Sequence, residues 1–103
     1  MPAYVYMVAN RKHGTLYTGV TTDLAARITA HKERRGSAFA AKWVCDRLVW
    51  YTTFHDVRDA IAREKRVKRW RRAHKRDEIE RANPHWSDLW FDLVGEPTTR
   101  ALR

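Results

Sequence analysis

The chain has 103 residues, of which 44% are apolar and 32% charged, a balance typical of one small globular domain with a single core. It contains no run of about eighteen apolar residues that could cross a membrane. Its one cysteine, Cys45, cannot form an internal disulfide. The formal net charge of +9 favours a polyanionic partner.

These properties set the first expectations. We expect a soluble protein without a membrane partner and, since no signal-peptide pattern precedes the first strand-like residues, a cytoplasmic location. Cys45 is interpreted as a small core residue. Residues 1–94 are expected to form a single domain, and residues 95–103 a flexible C-terminal tail.

Most of the excess charge lies in one run. Between Arg63 and Arg76, nine basic side chains accompany one acidic residue, Glu64, which gives a local net charge of +8. We interpret the run as a nucleic-acid-binding surface. Two other interpretations stay open: a solvated helix face, and a surface that recruits an acidic protein partner. The basic residues are Arg63, Lys65, Arg66, Lys68, Arg69, Arg71, Arg72, Lys75 and Arg76.

The first predicted elements form a β-hairpin. Residues 4–9 and 15–21 alternate in the manner of strands, and the polar residues 10–14 between them include a glycine. Tyr6 and Tyr17 face each other on the two strands. Strand propensity alone explains both, because tyrosine is common in strands, so only the rest of the chain can indicate a function for them.

A helix is predicted next, at residues 23–33, with Asp23 as its N-cap. Its apolar stripe contains Leu24 and Ile28, and the positions one turn from these include Arg27 and His31. The following residues, 34–43, have no clean period. They predict a loop that is a candidate substrate contact.

Residues 47–54 are rich in β-branched and aromatic side chains and predict a strand at or near the centre of the sheet. Asp56 then caps a second helix. The apolar stripe of that helix is expected to contain Val57, Ala60, Ile61, Val67 and Trp70.

The remaining residues predict further helices. Residues 71–82 form the third, which Asn83-Pro84 ends, and the aromatic residues 85–91 form a short helix that packs back on the domain. The order strand, strand, helix, strand, helix, helix predicts an α+β fold with a small antiparallel or mixed sheet.

Glu64 interrupts the apolar stripe of the second helix. A buried carboxylate costs several kcal/mol unless it is paired or binds a metal. Three interpretations are open at this point: a metal ligand, a structural salt bridge to a nearby arginine, or a rotated helix in which Glu64 meets water and pairs with Lys68 at i,i+4.

The polar features share a chemistry. Metal-assisted cleavage of a phosphodiester needs a carboxylate that anchors a divalent cation, an arginine that stabilises charge on the phosphate, and a phenol or imidazole that orients or deprotonates water. Glu64, Arg27, the two tyrosines and His31 are residues of these types.

The sequence resembles the GIY-YIG nuclease superfamily. Tyr4-Val5-Tyr6 is similar to its first motif and Tyr17-Thr18-Gly19 to its second, with Arg27 ten residues after Tyr17. His31 falls where the family carries His or Tyr, and Glu64 matches the family's metal-ligand glutamate. The resemblance covers residues 3 to about 70 and is nearest to the small single-domain bacterial proteins of the excision-nuclease-like (URI) type.

The resemblance implies a small, mostly antiparallel three-stranded sheet flanked by helices. It also implies that Tyr6, Tyr17 and His31 lie near the attacking water, that Arg27 binds the phosphate, and that Glu64 holds one Mg²⁺ or Mn²⁺. The general base stays open among the first three, because a phenol with a pKa near 10 is a poor base at neutral pH.

Some positions depart from the family pattern. Tyr4 stands where glycine is usual, Thr18 where isoleucine or valine is common, and Val20 where excision-repair members often carry lysine. The first two changes remove no catalytic group; the third removes that lysine's contribution. Asn83 is listed as a further candidate for the family's late asparagine.

Two functions are carried forward. The first is a metal-dependent endonuclease that hydrolyses DNA, with a role in repair or recombination, in which the basic run binds the backbone. The second is a catalytically silent nucleic-acid-binding module on the same scaffold. The sequence has no room for an added recognition domain, so substrate choice would depend on the basic helices, residues 34–43 or a protein partner.

Overall fold

The computed structural model describes residues 1–94, so the predicted tail at residues 95–103 lies outside the described residues. The fold is α+β, as predicted. Among the described residues, no helix has the length and apolarity that crossing a membrane requires. In chain order the elements are β1 (Ala3–Ala9), β2 (Leu16–Thr21), α1 (Leu24–Lys32), α2 (Ala38–Trp43), β3 (Arg47–Phe54), α3 (Val57–Arg69), α4 (Arg72–Ala82) and α5 (Trp90–Val94).

The three strands form one antiparallel sheet in the order β2-β1-β3, which confirms the predicted sheet. In the hairpin register Tyr6 pairs with Gly19 and Val8 pairs with Tyr17. Tyr6 and Tyr17 are therefore diagonal neighbours on one face of the sheet, because cross-strand partners point to the same side.

The central strand is β1. Its residues at odd positions pack on one face of the sheet and Tyr6 and Val8 on the other, so that nearly the whole strand is buried. The prediction that residues 47–54 form the central strand was wrong, because β3 is an edge strand. Only Leu48 and Val49 of β3 are buried, and Tyr51 is 39% exposed. A β-branched and aromatic composition marks a half-buried pleated surface and does not fix a position in the sheet.

Helices cover both faces of the sheet. Helices α3 and α4 cover one face, with a buried cluster of Ala3, Val5, Met7, Ala9, Val49, Ala60, Val67, Ile79 and Trp86. Helices α1, α2 and α5 cover the other face, where the buried cluster consists of Tyr6, Val8, Leu24, Ile28, Ala40, Cys45 and Leu48. Cys45 is thus a core residue, as predicted.

Local chemistry fixes the helix starts. The Asp23 carboxylate accepts a hydrogen bond from the backbone N–H of Ala26 at 3.1 Å and caps α1, as predicted. The loop predicted for residues 34–43 is wrong in its second half, which forms α2. Ser37 caps this helix by accepting from the N–H of Ala40 at 3.0 Å. A six-residue helix is too short to show a period, so only its cap could have indicated it.

The predicted stripe of the second helix was partly wrong. Val57 and Ile61 are 40% and 39% exposed, whereas the buried positions of α3 are Ala60, Glu64 and Val67. Spacings of four and three place these three residues on one face, and that face meets the sheet. Glu64 is therefore on the buried side of its helix.

The last predicted helix is shorter than expected, because α5 begins only at Trp90. Trp86, inside the segment predicted as helical, has a left-handed backbone with φ of 55°. This conformation ends any helix at that point, and the indole is fully buried against the face that α3 and α4 cover.

Candidate functional site

A hydrogen bond between Tyr6 and His31 joins the central strand to α1. The Tyr6 hydroxyl lies 2.8 Å from His31 Nε2, and the two rings meet edge-on with centroids 5.5 Å apart. Both residues are buried. The pairing arises because Tyr6 points to the sheet face that α1 covers, and His31 follows Leu24 and Ile28 along the buried stripe of that helix.

Two glycines make room for this pair. Gly19 lies directly opposite Tyr6 in the hairpin, and a Cβ at position 19 would overlap the Tyr6 hydroxyl and ring. A Cβ at Gly36 would overlap the His31 imidazole near Nδ1. The Nδ1 atom is buried and has no hydrogen-bond partner among the described residues. Because Gly19 and Gly36 have no side chains, the Tyr6 phenol and the His31 imidazole can occupy the space beside them.

Tyr17 completes a cluster of three rings. Its ring centroid lies 6.5 Å from that of Tyr6 and 5.4 Å from that of His31. Unlike Tyr6, Tyr17 is only half-buried, so the cluster extends from the core towards the surface.

Arg27 acts electrostatically on the cluster. Burial raises the pKa of Tyr6 to about 12, and the neighbouring Arg27 guanidinium opposes that rise while Tyr17 and Glu64 add to it. Burial and the Arg27 charge lower the pKa of His31 to about 4. At neutral pH the phenol therefore keeps its proton and the imidazole is neutral.

Glu64 reaches the cluster from the opposite helix layer. Its side chain is 10% exposed, and Lys68 Nζ lies 2.5 Å from Glu64 Oε2, an i,i+4 ion pair that raises the pKa of Lys68. The same Nζ lies 6.0 Å from the centroid of the Tyr17 ring. The rotated helix that would expose Glu64 to water was therefore wrong, although the predicted ion pair with Lys68 is present.

The residues present fit one kind of cation. Among residues 1–94 no group of three or more His, Cys, Asp or Glu side chains could hold a metal ion, so a cage made only of protein ligands is not available. Mg²⁺ is commonly held by one or two carboxylates, with water and substrate phosphates completing the shell. The Glu64 carboxylate suits such a hard cation, and Mn²⁺ has the same preference.

The comparisons with known proteins concern the family to which the chain belongs. The family model for the GIY-YIG catalytic domain matches residues 2–77. The chain belongs to the GIY-YIG family. Tyr6, Tyr17, Arg27, His31 and Glu64 all fall inside the matched segment of the GIY-YIG domain.

Relatives of this GIY-YIG domain are small proteins. A UPF0213 protein of Desulfotalea psychrophila is 33% identical over 94 residues, covering 87% of this chain and 83% of that protein. A UPF0213 protein of Staphylococcus haemolyticus is 35% identical over 77 residues, covering 75% and 93%. The solution NMR structure of a UPF0213 protein of Bacillus halodurans has a TM-score of 0.51 and 29% identity, covering 86% of this chain and 94% of that one. These names state no activity.

The contact of Lys68 with Tyr17 was not predicted from the sequence. Lys68 was assigned to the basic run and considered as an i,i+4 partner of Glu64. The structure contains that ion pair and adds the Tyr17 ring to the contacts of Lys68. Gly19 was also missed as a packing partner of Tyr6, although the antiparallel register of a hairpin centred on residues 12–13 would have paired the two.

Asn83 does not join the five other candidates. It is buried, and its amide donates to the carbonyl oxygens of Val49 at 3.1 Å and Ser87 at 2.9 Å. Its side-chain oxygen accepts from the N–H of Ser87 at 3.0 Å. These contacts tie the end of α4 to β3, which is a structural role.

The basic run divides into exposed and engaged side chains. Arg72 donates to the carbonyl oxygens of His13 at 2.8 Å and Gly14 at 2.5 Å, which ties α4 to the hairpin turn. The Arg63 guanidinium lies 5.3 Å from the centroid of the Trp70 ring. Burial, then the charges of Arg72 and Lys68, lower the pKa of Lys75. The side chains that are exposed without an ion pair among residues 1–94 include Lys65, Arg66, Arg69 and Arg71.

A separate groove of about 580 Å³ lies beside β3 and α3. Its lining includes Trp50, Phe54, Arg63 and Arg66, and it includes none of the five residues Tyr6, Tyr17, Arg27, His31 and Glu64. The cluster of Tyr6, Tyr17 and His31, which extends to the surface at Tyr17, is therefore separate from this groove.

Proposed function

We propose that this chain is a metal-dependent endonuclease that hydrolyses phosphodiester bonds in DNA. The observation that carries the proposal is the convergence of Tyr17, His31, Arg27 and Glu64, which come from one strand and two helices, around the buried phenol of Tyr6. Membership of the GIY-YIG family supports a nuclease-type activity.

Arg27 is the proposed phosphate-binding group. Its positive charge lies near enough to shift the pKa values of both Tyr6 and His31. A guanidinium presents a planar fork that matches two phosphate oxygens and stabilises charge that develops on them. Lys68 lies next to Tyr17, and its charge is compensated there by the Glu64 carboxylate.

Glu64 is the proposed ligand of one Mg²⁺ or Mn²⁺. Such a cation, when bound, polarises the phosphoryl oxygens and stabilises the leaving oxygen. Lys68 forms an ion pair with the Glu64 carboxylate, so cation binding would compete with that ion pair.

His31 is the proposed final proton acceptor. Its pKa of about 4 leaves the imidazole unprotonated at neutral pH and also makes it a weak base, whereas Tyr6, with a pKa of about 12, keeps its proton. The 2.8 Å hydrogen bond allows a relay. As Tyr6 Oη takes a proton from the attacking water, the phenol proton moves to His31 Nε2.

The exposed basic side chains of α3 and α4 are the proposed backbone-binding surface. Their contacts would be sequence-independent and would weaken steeply with salt, because each phosphate contact releases counterions. A single domain over residues 1–94, a cytoplasmic location and a role in DNA repair or recombination belong to the same proposal.

A second candidate is a nucleic-acid-binding module without catalysis. The observation that favours it is the Glu64–Lys68 ion pair, which satisfies the buried carboxylate without a cation. The basic surface would then bind nucleic acid, and no cleavage would follow.

One assay separates the two. Labelled linear and branched DNA and RNA are incubated with Mg²⁺ or Mn²⁺ and the wild type, Glu64→Ala, Arg27→Ala or Glu78→Ala. Glu78 is the matched control, since it is also a helical carboxylate in an ion pair, with Arg81 at 2.8 Å. The nuclease predicts cleavage that the first two variants lose while they still bind DNA. Binding without cleavage for every substrate and cation would leave only the binding module.

A further inference from the structure

An aromatic row leads from the candidate site to the surface. Tyr17 and Phe39 stack with ring centroids 6.3 Å apart and planes at 30°, and Phe39 and Trp43 lie 6.5 Å apart at 48°. We define these three residues as the aromatic row. Phe39 is 47% exposed and Trp43 46% exposed.

The exposure of Phe39 and Trp43 has no structural explanation within the described fold. Helix α2 buries only Ala40, on the side that faces the sheet. Phe39 and Trp43 are four residues apart, so they share one helix face, and that face is turned away from the core. A contiguous exposed apolar patch of this kind is typical of a binding surface.

The helix holds this face in place from both ends. Ser37 caps its start, and Val44 ends it in the left-handed conformation with φ of 57°, which a β-branched residue rarely adopts. Backbone strain of this type is found mostly at functional sites.

Positive charge accompanies the aromatic row. Lys42 Nζ lies 5.4 Å from the centroid of the Trp43 ring, and Lys68 Nζ lies 6.0 Å from that of the Tyr17 ring. Aromatic faces combined with lysines match the chemistry of a strand of nucleic acid, in which base faces alternate with phosphates. In a duplex the base faces are stacked on one another, so only unpaired bases can stack on Phe39 and Trp43.

We propose that the aromatic row stacks unpaired nucleobases beside the scissile phosphate, so that the substrate class is a single strand or the unpaired flap of a branched molecule. The proposal deepens the proposed function, on which its reference to a scissile phosphate rests. The stacking itself does not depend on catalysis.

The test measures binding in EDTA, where cleavage plays no part. Fluorescence anisotropy follows a labelled twelve-thymidine DNA strand, a twelve-uridine RNA strand and a DNA hairpin whose loop is a polyethylene glycol linker, so that the hairpin contains no unpaired base. The test variant Phe39→Leu/Trp43→Leu keeps apolar bulk but removes the aromatic faces. The control is Tyr51→Leu, because Tyr51 is an exposed aromatic on the opposite edge strand.

We expect the double variant to bind the single strand at least about tenfold more weakly, while its affinity for the hairpin changes less than about twofold. Tyr51→Leu should bind both as the wild type does. The affinities of the two single strands for the wild type decide whether DNA or RNA supplies the bases. Circular dichroism checks that each variant is folded, and if the double variant is not, Trp43→Leu alone takes its place.

Equal losses for single strand and hairpin, or no loss for either, would overturn the stacking proposal. If the surface bound a protein partner instead, the double variant would lose affinity for neither nucleic acid. Single-strand binding that depends on Phe39 and Trp43, without cleavage in Mg²⁺ or Mn²⁺, would contradict the proposed nuclease and leave the stacking surface standing.

Discussion

Replacing Gly19 by alanine tests how the site is packed. The three atoms nearest to a Cβ at position 19 all belong to Tyr6, and the nearest is the hydroxyl oxygen. Tyr6 is fully buried and hydrogen-bonded to His31, so its ring cannot move aside freely. Overpacking of a core costs about 1–3 kcal/mol. A buried hydrogen bond broken at one end costs about 1–3 kcal/mol more.

We expect Gly19→Ala to lower the free energy of unfolding by about 2–6 kcal/mol in urea denaturation. The same substitution in a Tyr6→Phe background should cost about 1–2 kcal/mol less, because the hydroxyl that it meets first is gone. The coupling between the two positions is the critical quantity. A cost below about 0.5 kcal/mol, or strictly additive effects of the two substitutions, would refute the inferred packing of Tyr6 against Gly19.

Three further predictions concern stability. The pKa of His31 falls from 6.5 to about 4 on folding, so only the unfolded state gains this proton as the pH drops from about 6.5 to 4. The free energy of unfolding, measured by urea denaturation, should fall by about 2–3 kcal/mol over that pH range, and it should fall less in His31→Gln. Asn83→Ala should lower the free energy of unfolding by about 2–3 kcal/mol, because its hydrogen bonds to the backbone are lost, and should leave the cleavage rate unchanged. A folded variant that loses cleavage would argue against a structural role. Val44→Gly should raise stability by about 1 kcal/mol by removing left-handed strain, and a lower melting temperature would contradict this.

The parts of the fold that the sequence predicted are those with a local signal. The hairpin, α1 and α3 have strand alternation, an aspartate cap or both, and the structure contains them near the predicted bounds. Helix α2 was missed because its six residues bury only Ala40. The phase of α3 was misjudged because Val57 and Ile61 suggested a broader apolar stripe than the one that meets the sheet.

Strand order depends on long-range packing that a propensity does not report. Residues 47–54 have the strongest strand composition, yet β1 is central because its side chains are apolar enough for both faces of the sheet. The near-continuous burial of β1 is the pattern expected of a strand covered on two sides.

The candidate site was predictable in its residue types and not in its contacts. The resemblance to GIY-YIG nucleases identified Tyr6, Tyr17, Arg27, His31 and Glu64, and the fold brings them together. The hydrogen bond between Tyr6 and His31 and the contact of Lys68 with the Tyr17 ring depend on how two helix layers meet the sheet. Contacts between residues far apart in the chain cannot be read from the spacing of residues in the sequence. The catalytic roles of these residues remain predictions.

Single-turnover cleavage of a labelled DNA strand by the wild type and by Glu64→Gln measures the proposed role of this site most directly. With Mg²⁺, we expect the wild type to cleave and Glu64→Gln to be at least about 100-fold slower, although both bind the strand with similar affinity. Glu78→Gln should cleave as the wild type does. Cleavage by Glu64→Gln at the wild-type rate, or cleavage by the wild type in EDTA, would contradict a metal-dependent nuclease site centred on Glu64.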